Sequence, residues 1–526
     1  MPYSRLLSVA LLAIAPLLCP AEQPAPSSPS NESLPLTSFL VRPYSSGTAA
    51  ISFWHPRLDL PLDLKGSRPS ADDGSADLTA DTPTTEDSDS VSSLTNIFRH
   101  TNSARWMISG QANIIFQADP GFHSLYSGPN SFINRGEYKT SLVGTIYTGF
   151  QVRSNPHSST ELLLDIESAG GRGLGNALGV AGFTNLDVVR NPSLGSSPYI
   201  ARAEIHQTIG LTDKMVEAQR TTTSLSTLVP ERRIELRAGK LSTADLFDNN
   251  GVGTDSHLQF MNWTVDNNGS YDYAADTRGY TYGAFGEYDD KVWSVRYMLA
   301  LMPTVANGLD LDWNVRRASG QNVEFELRKA PLGLLLKKSR GGVIRALSFV
   351  NHANMGLYAD AIKAYESGAD KTPNILLHER LGSVKYGFGL NAEQSLSENV
   401  RGFVRFGWNE GQHETWAYTE VDQTAAAGMD YAGSAWKRPL DKIGAAVVSN
   451  AISHEHMEYL KLGGLGFLLG DGNLNYGREN IAEAYYNLHA WRGAYYSFDT
   501  QAVENPGYNK DRGPFVVFSV RMHVDF

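Results

Sequence analysis

Pro514-Phe515-Val516-Val517-Phe518-Ser519-Val520-Arg521-Met522-His523-Val524-Asp525-Phe526 closes the chain and decides its fold. Val516, Phe518, Val520, Met522, Val524 and Phe526 share one parity, and Ser519, Arg521, His523 and Asp525 share the other. Period-2 alternation sends the two sets to opposite faces of one strand. A soluble β edge seldom ends on a bulky aromatic. A transmembrane barrel turns its apolar side chains to lipid and its polar ones to a wet lumen. The strand therefore points to a membrane barrel.

The same parity recurs upstream. From Arg105, residues Trp106, Ile108, Ala112, Ile114 and Phe116 oppose Ser109, Gln111, Asn113 and Gln117. Leu164 and Ile166 alternate with Asp165 and Glu167, and Ala201, Ala203 and Ile205 with Arg202, Glu204 and His206. Ile234, Leu236 and Ala238 alternate with Glu235 and Arg237. A segment at 138–152 and others near 277–288, 292–302, 321–330, 343–351, 382–394, 400–409, 429–436, 443–450, 479–489, 494–502 and 514–526 bring the total to sixteen. An even count is what a bacterial single-chain antiparallel barrel requires. The connections alternate in length. Those at 118–137, 169–198, 244–276, 303–320, 352–381, 410–428, 451–478 and 503–513 are long, and those at 153–159, 289–291, 395–399 and 490–493 are short. Long outer loops and short periplasmic turns are the expected asymmetry, which 210–232 and 331–342 break.

Charge on the inner parity bears on function. Asp165, Glu167, Arg202, Glu204, Glu235, Arg237, Glu324, Glu326, Arg328 and Arg405 all fall there. Facing lipid, an Arg near the midplane would cost about 2–4 kcal/mol and an acid somewhat less. In a dry core the desolvation cost would be prohibitive. A water-filled lumen removes both penalties, and sixteen strands give a barrel of that width. The alternative is that these charges pair with one another and brace the wall.

Upstream of the strands the composition changes. Arg5 followed by the apolar run 6–18 and Cys19-Pro20-Ala21 reads as an export signal cleaved near Ala21. That run is too short to cross a bilayer as a helix. Cys19 is the only cysteine, so the mature chain has neither a disulfide framework nor a thiolate metal site. Residues 22–104 are rich in Pro, Ser and scattered Asp, which predicts a flexible periplasmic linker. The formal charge of −11 becomes −12 without Arg5, which argues against nucleic acid as a partner. Helical membrane spans are not expected, because no long apolar run occurs beyond the signal.

Several loops resemble one family. Phe122-His123-Ser124-Leu125-Tyr126-Ser127-Gly128-Pro129-Asn130-Ser131, Leu178-Gly179-Val180-Ala181-Gly182-Phe183-Thr184-Asn185 and Gly239-Lys240-Leu241-Ser242 resemble the carbohydrate-selective porins of the OprB type. So do Gln259-Phe260-Met261-Asn262-Trp263, the run 272–283, Gly463-Gly464-Leu465-Gly466-Phe467 and Asn505-Pro506-Gly507-Tyr508-Asn509. The motifs occur in family order over about 105–526. The resemblance implies a barrel of about 16 strands in the bacterial outer membrane, narrowed by inward-folded extracellular loops. It also implies passive diffusion of mono- or oligosaccharides. Lipid surroundings, recognition of the Phe526 strand by the barrel-assembly machinery and, by analogy with porins, a homotrimer go with that reading.

A sugar offers hydroxyls around its rim and a weakly apolar C–H face, so a selective pore needs charged or amide side chains beside aromatics. The loop 244–276 supplies Asp245, Asp248, Asn249 and Trp263, and the wall supplies Asp165, Glu167, Arg202, Glu204, Glu235, Arg237 and Arg405. Trp263 could equally belong to the loop's own core. No cofactor, metal ligand or catalytic residue is expected. His454-Glu455-His456 lacks the helical HExxH spacing and reads as a loop pair, and no Gly-x-Ser-x-Gly elbow is present. The rivals are a general porin without sugar preference, an outer-membrane barrel enzyme, and a structural barrel tethered through the linker.

Overall fold

The computed structural model of the chain describes residues 96–98, 104–188, 194–328, 331 and 341–526. The export signal and nearly all of the linker lie outside the described residues. Sixteen strands form one closed antiparallel barrel. In chain order these are β1 (Trp106–Gly121), β2 (Arg135–Asn155), β3 (Ser158–Gly171), β4 (Tyr199–Gly210), β7 (Arg233–Leu241), β8 (Thr281–Asp289), β9 (Trp293–Leu301) and β10 (Ser319–Leu327). They continue as β11 (Gly342–Gly356), β12 (Glu379–Ser395), β13 (Val400–Asn409), β14 (Gln423–Ala432), β15 (Lys442–Ala451), β16 (Glu479–Trp491), β17 (Ala494–Glu504) and β18 (Phe515–Asp525). A separate small hairpin, β5 (Met215–Glu217) with β6 (Leu228–Pro230), sits inside the connection from β4 to β7.

The barrel closes where β1 pairs with β18, in the register Gln111↔Asp525 through Ala118↔Phe518. Gly110 and Phe526 then exchange backbone hydrogen bonds of 2.6 and 2.8 Å, so no strand edge is left open at that point. Parity holds across the wall. Phe518 and Val520 are exposed while Ser519, Arg521 and His523 are buried. Trp106, Ile108, Ile114 and Phe116 likewise face out, against buried Gln111, Asn113 and Gln117.

Aromatics ring both ends of the lipid-facing surface. At the short-turn end Tyr288 lies 5.1 Å from Trp293 and Tyr431 lies 5.6 Å from Trp436. At the opposite end Tyr282 lies 5.1 Å from Trp313 and Phe388 lies 5.3 Å from Trp408. Such girdles mark the two membrane–water interfaces. Among the described residues no helix is long and apolar enough to cross a membrane; the strands do the crossing.

One expected strand is displaced. The segment 429–436 is in fact β14, ending at Ala432, and Gly433–Trp436 is a 3-10 turn. Thr424-Ala425-Ala426-Ala427-Gly428 offers little contrast between polar and apolar residues, so parity could not mark where the strand starts.

Candidate functional site

The lumen is narrowed by three connections that fold into it. The longest, 242–280, leaves β7 and crosses the barrel almost entirely buried. Within it Asn262 caps the short helix Trp263–Asp266 through a 3.0 Å bond to the Thr264 amide. The second, 173–188, packs on the first: the Trp263 Nε1 donates to the Asn185 carbonyl at 2.9 Å, and the Asn262 Nδ2 donates to the Gly182 carbonyl at 2.9 Å. The third, 414–422, brings the Trp416 and Ala417 amides to the Asp272 carboxylate at 2.9 and 2.8 Å.

Wall side chains pin these loops down. Glu483 of β16 accepts from the Met261 amide at 2.5 Å, and Glu479 accepts from the Ala181 and Gly182 amides at 3.0 and 2.7 Å. Glu324 of β10 accepts from the Asp248 amide at 2.7 Å, and Asn391 of β12 donates to the Asp248 carbonyl at 2.9 Å. Arg405 of β13 lies 2.8 Å from the Asp248 carboxylate and donates to the Val265 carbonyl at 2.7 Å. Each of these carboxylates or amides satisfies loop backbone that has no ladder partner inside a barrel.

The inward charges also pair along the wall. Arg202 reaches Asp165 at 2.7 Å and Asp245 on the crossing loop, where Nε contributes a bond of 2.9 Å. Arg237 pairs with Glu204 at 2.8 Å, and His206 sits 3.2 Å from Glu161 and 3.3 Å from Glu235. Glu167 takes hydrogen bonds from Tyr280 at 3.2 Å and from Thr145 at 3.0 Å. Further round, Arg328 pairs with Asp289 at 2.6 Å and with Glu326 at 2.9 Å. Arg345 then bridges Glu326 and Glu393 at 2.9 and 3.0 Å. Bracing is therefore what most of these charges do.

Not every candidate residue is equally accessible. Asp165, Glu167, Arg202, Glu204, Asp248, Trp263 and Arg405 are all buried. Trp263 stacks on Tyr418 at 5.5 Å within the loop core. The Glu235 side chain keeps 16% exposure and that of Arg237 8%, while Asp245 and Asn249 are partly exposed as residues with their Oδ1 atoms buried. Burial pushes the Asp245 carboxyl above the usual carboxylate range, with Arg202 beside it acting the other way. Sequence reading missed the partly exposed Glu287, Glu393 and Arg401, and also Arg296, which pairs with Glu287 at 2.9 Å. All four carry the inward parity that would have found them. The run His454-Glu455-His456 is helical rather than a loop pair. His456 is buried, with its ring 3.1 Å from Asp422 and stacked on Tyr358 at 4.4 Å. Among the described residues no cluster suits a metal ion.

A closed sixteen-strand barrel crossed by inward loops from its long-connection end is a porin architecture. The model of the carbohydrate-selective porin, OprB family, matches residues 158–526. The chain belongs to that family. It is thus a carbohydrate-selective porin of the bacterial outer membrane, and sugars are its permeating solutes. The high-pH structure of Pseudomonas putida OprB is similar in fold, with a TM-score of 0.60 and 14% identity over 80% of this chain and 94% of that one. The outer-membrane channel DcaP of Acinetobacter baumannii also matches, at a TM-score of 0.43 and 8% identity over 80% of this chain and 97% of that one. A search of the curated proteins finds no match by sequence.

Proposed function

We propose that sugar passes between the accessible edge of loop 242–280 and the charged wall facing it, without turnover chemistry. Glu235 and Arg237 present charge from β7, while Asp245 and Asn249 carry the loop edge beside them with their Oδ1 atoms buried. Charged groups suit sugar hydroxyls, and their existing partners, His206 and Arg233 for Glu235 and Glu204 for Arg237, keep any one sugar contact weak enough for release. Asp165, Glu167, Arg202, Glu204, Asp248, Trp263 and Arg405 act behind this edge, holding the loop in place. The observation that carries the reading is the Arg202 bridge, which ties wall Asp165 to loop Asp245 at the border of the accessible residues.

Three partners complete the proposal: lipids around the aromatic girdles, the barrel-assembly machinery at the Phe526 strand, and a homotrimer. The test of the path is sugar block of ion current in Asp245→Asn and Arg237→Ala chains. The half-blocking sugar concentration should rise about fivefold for each hydrogen bond of about 1 kcal/mol removed. Unchanged block in both variants would place the path elsewhere.

A further inference from the structure

The connection from β4 to β7 is far longer than its position needs. Leu211 N–H already donates to the Arg232 carbonyl at 2.9 Å, so a two-residue turn there would join the strands. Instead the chain builds the β5–β6 hairpin and a tip, Ala218-Gln219-Arg220-Thr221-Thr222-Thr223-Ser224-Leu225-Ser226-Thr227, dominated by hydroxyls.

That tip folds up into the barrel from the short-turn end. Leu225 is buried at 3% and clusters with Met107, Tyr147 and Leu163, which are inward residues of β1, β2 and β3. Gly149 makes room for it, since a Cβ there would lie 2.7 Å from a Leu225 methyl. Glu161 seats the tip from the wall: its carboxylate accepts from the Leu225 amide at 3.0 Å and from the Ser226 hydroxyl at 2.8 Å. Arg220 fastens the near end to the carbonyls of Ala104 and Trp106, both at 2.7 Å. Tyr147 pairs in register with Asp165. The tip therefore ends next to the Asp165, Arg202 and Asp245 bridge that anchors the crossing loop from the other side.

We propose that residues 218–227 form a second, exit-side selectivity element, a hydroxyl-bearing constriction through which sugar leaves toward the periplasm. Packing explains Leu225, and the turn explains Thr221, whose hydroxyl accepts from the Thr223 and Ser224 amides at 3.3 and 3.0 Å; neither calls for the half-exposed hydroxyls of Thr223 and Ser224. Hydroxyls both donate and accept, so they can exchange partners with a passing sugar without holding it. The inference rests on the sugar-conducting reading above.

Two chains test it in bilayers of known insertion direction, with maltose added to one side at a time. In the first, residues 212–231 are replaced by Asn-Gly. In the second, Thr223→Val and Ser224→Ala remove the half-exposed hydroxyls and leave the Glu161 seat and the Thr221 turn. Shortening should raise conductance about twofold and quicken sugar association several-fold from the periplasmic side, with the outer-side rate within about twofold. The second chain should shorten sugar residence, and it decides the matter if the shortened chain does not fold. Unchanged rates and residence would overturn the inference while leaving the path along loop 242–280 intact. Absence of sugar block in the unaltered chain would overturn both.

Discussion

Arg405 on the barrel wall and Asp248 on the crossing loop lie 2.8 Å apart with both side chains buried. The same guanidinium holds the Val265 carbonyl and the Thr254 hydroxyl, at 2.7 and 3.0 Å, so one wall residue fixes three points of the loop. Removing one partner of such a pair strands the other charge. Arg405→Ala should therefore destabilise the loop by about 3–5 kcal/mol. Single-channel recordings should show larger, noisier currents, while the barrel keeps its heat-dependent gel shift. A quiet channel of unchanged conductance would mean that the loop is held by its other contacts.

The closing seam depends on a small residue. A Cβ on Gly110 would lie 2.6 Å from the Phe526 ring and 2.8 Å from the Thr145 carbonyl oxygen. Gly110→Leu is expected to displace that ring and loosen the β1–β18 pairing. Deleting Phe526 should act in the same direction by removing its two backbone bonds to Gly110. The readout is the fraction of chain reaching the compact, heat-modifiable form; equal fractions for all three proteins would contradict the role given to this contact.

The inward loops carry a pH-dependent contact. His257 lies 3.3 Å from Asp187 and stacks on His523 at 5.4 Å, with Arg521 and Asp255 also nearby. Burial opposes charge on both partners. Even so, Asp187 raises the His257 pKa, and His257 with Asn113 lowers that of Asp187. The histidine contribution is full below its unfolded value near 6.5 and is lost as pH rises through the raised folded value. The Asp187 contribution is present above about 3.9 and is lost as pH falls through the depressed value. The contact should thus stabilise the loops most between about pH 4 and 6.5. Current noise is expected to rise above neutrality in the native chain and to lose that dependence in His257→Asn. Noise that ignores pH in both chains would rule this out.

Much of the architecture was legible because a membrane barrel writes its faces into every second residue. Phe518 and Ser519, or Ile114 and Asn113, cannot exchange sides without exposing a polar side chain to lipid. The alanine run before Ala432 carries no such signal, so the start of β14 at Gln423 is unmarked in the sequence. The lumen was less legible. Parity puts Arg202 and Asp165 inside, but only the register of β3 with β4 and the path of the loop bring both to Asp245. Trp263 shows the same limit: an aromatic in a loop reads alike whether it meets solute or, as here, stacks on Tyr418. The tip at 218–227 stood out only as a connection of the wrong length.

Sugar selectivity here means a lumen that engages sugars. Single-channel conductance of the purified protein in a planar bilayer, titrated with glucose, maltose and unrelated solutes of similar size, tests it most directly. Millimolar sugar should block the current, and the other solutes should block it little. An open channel indifferent to sugars would contradict that selectivity and leave a general diffusion pore.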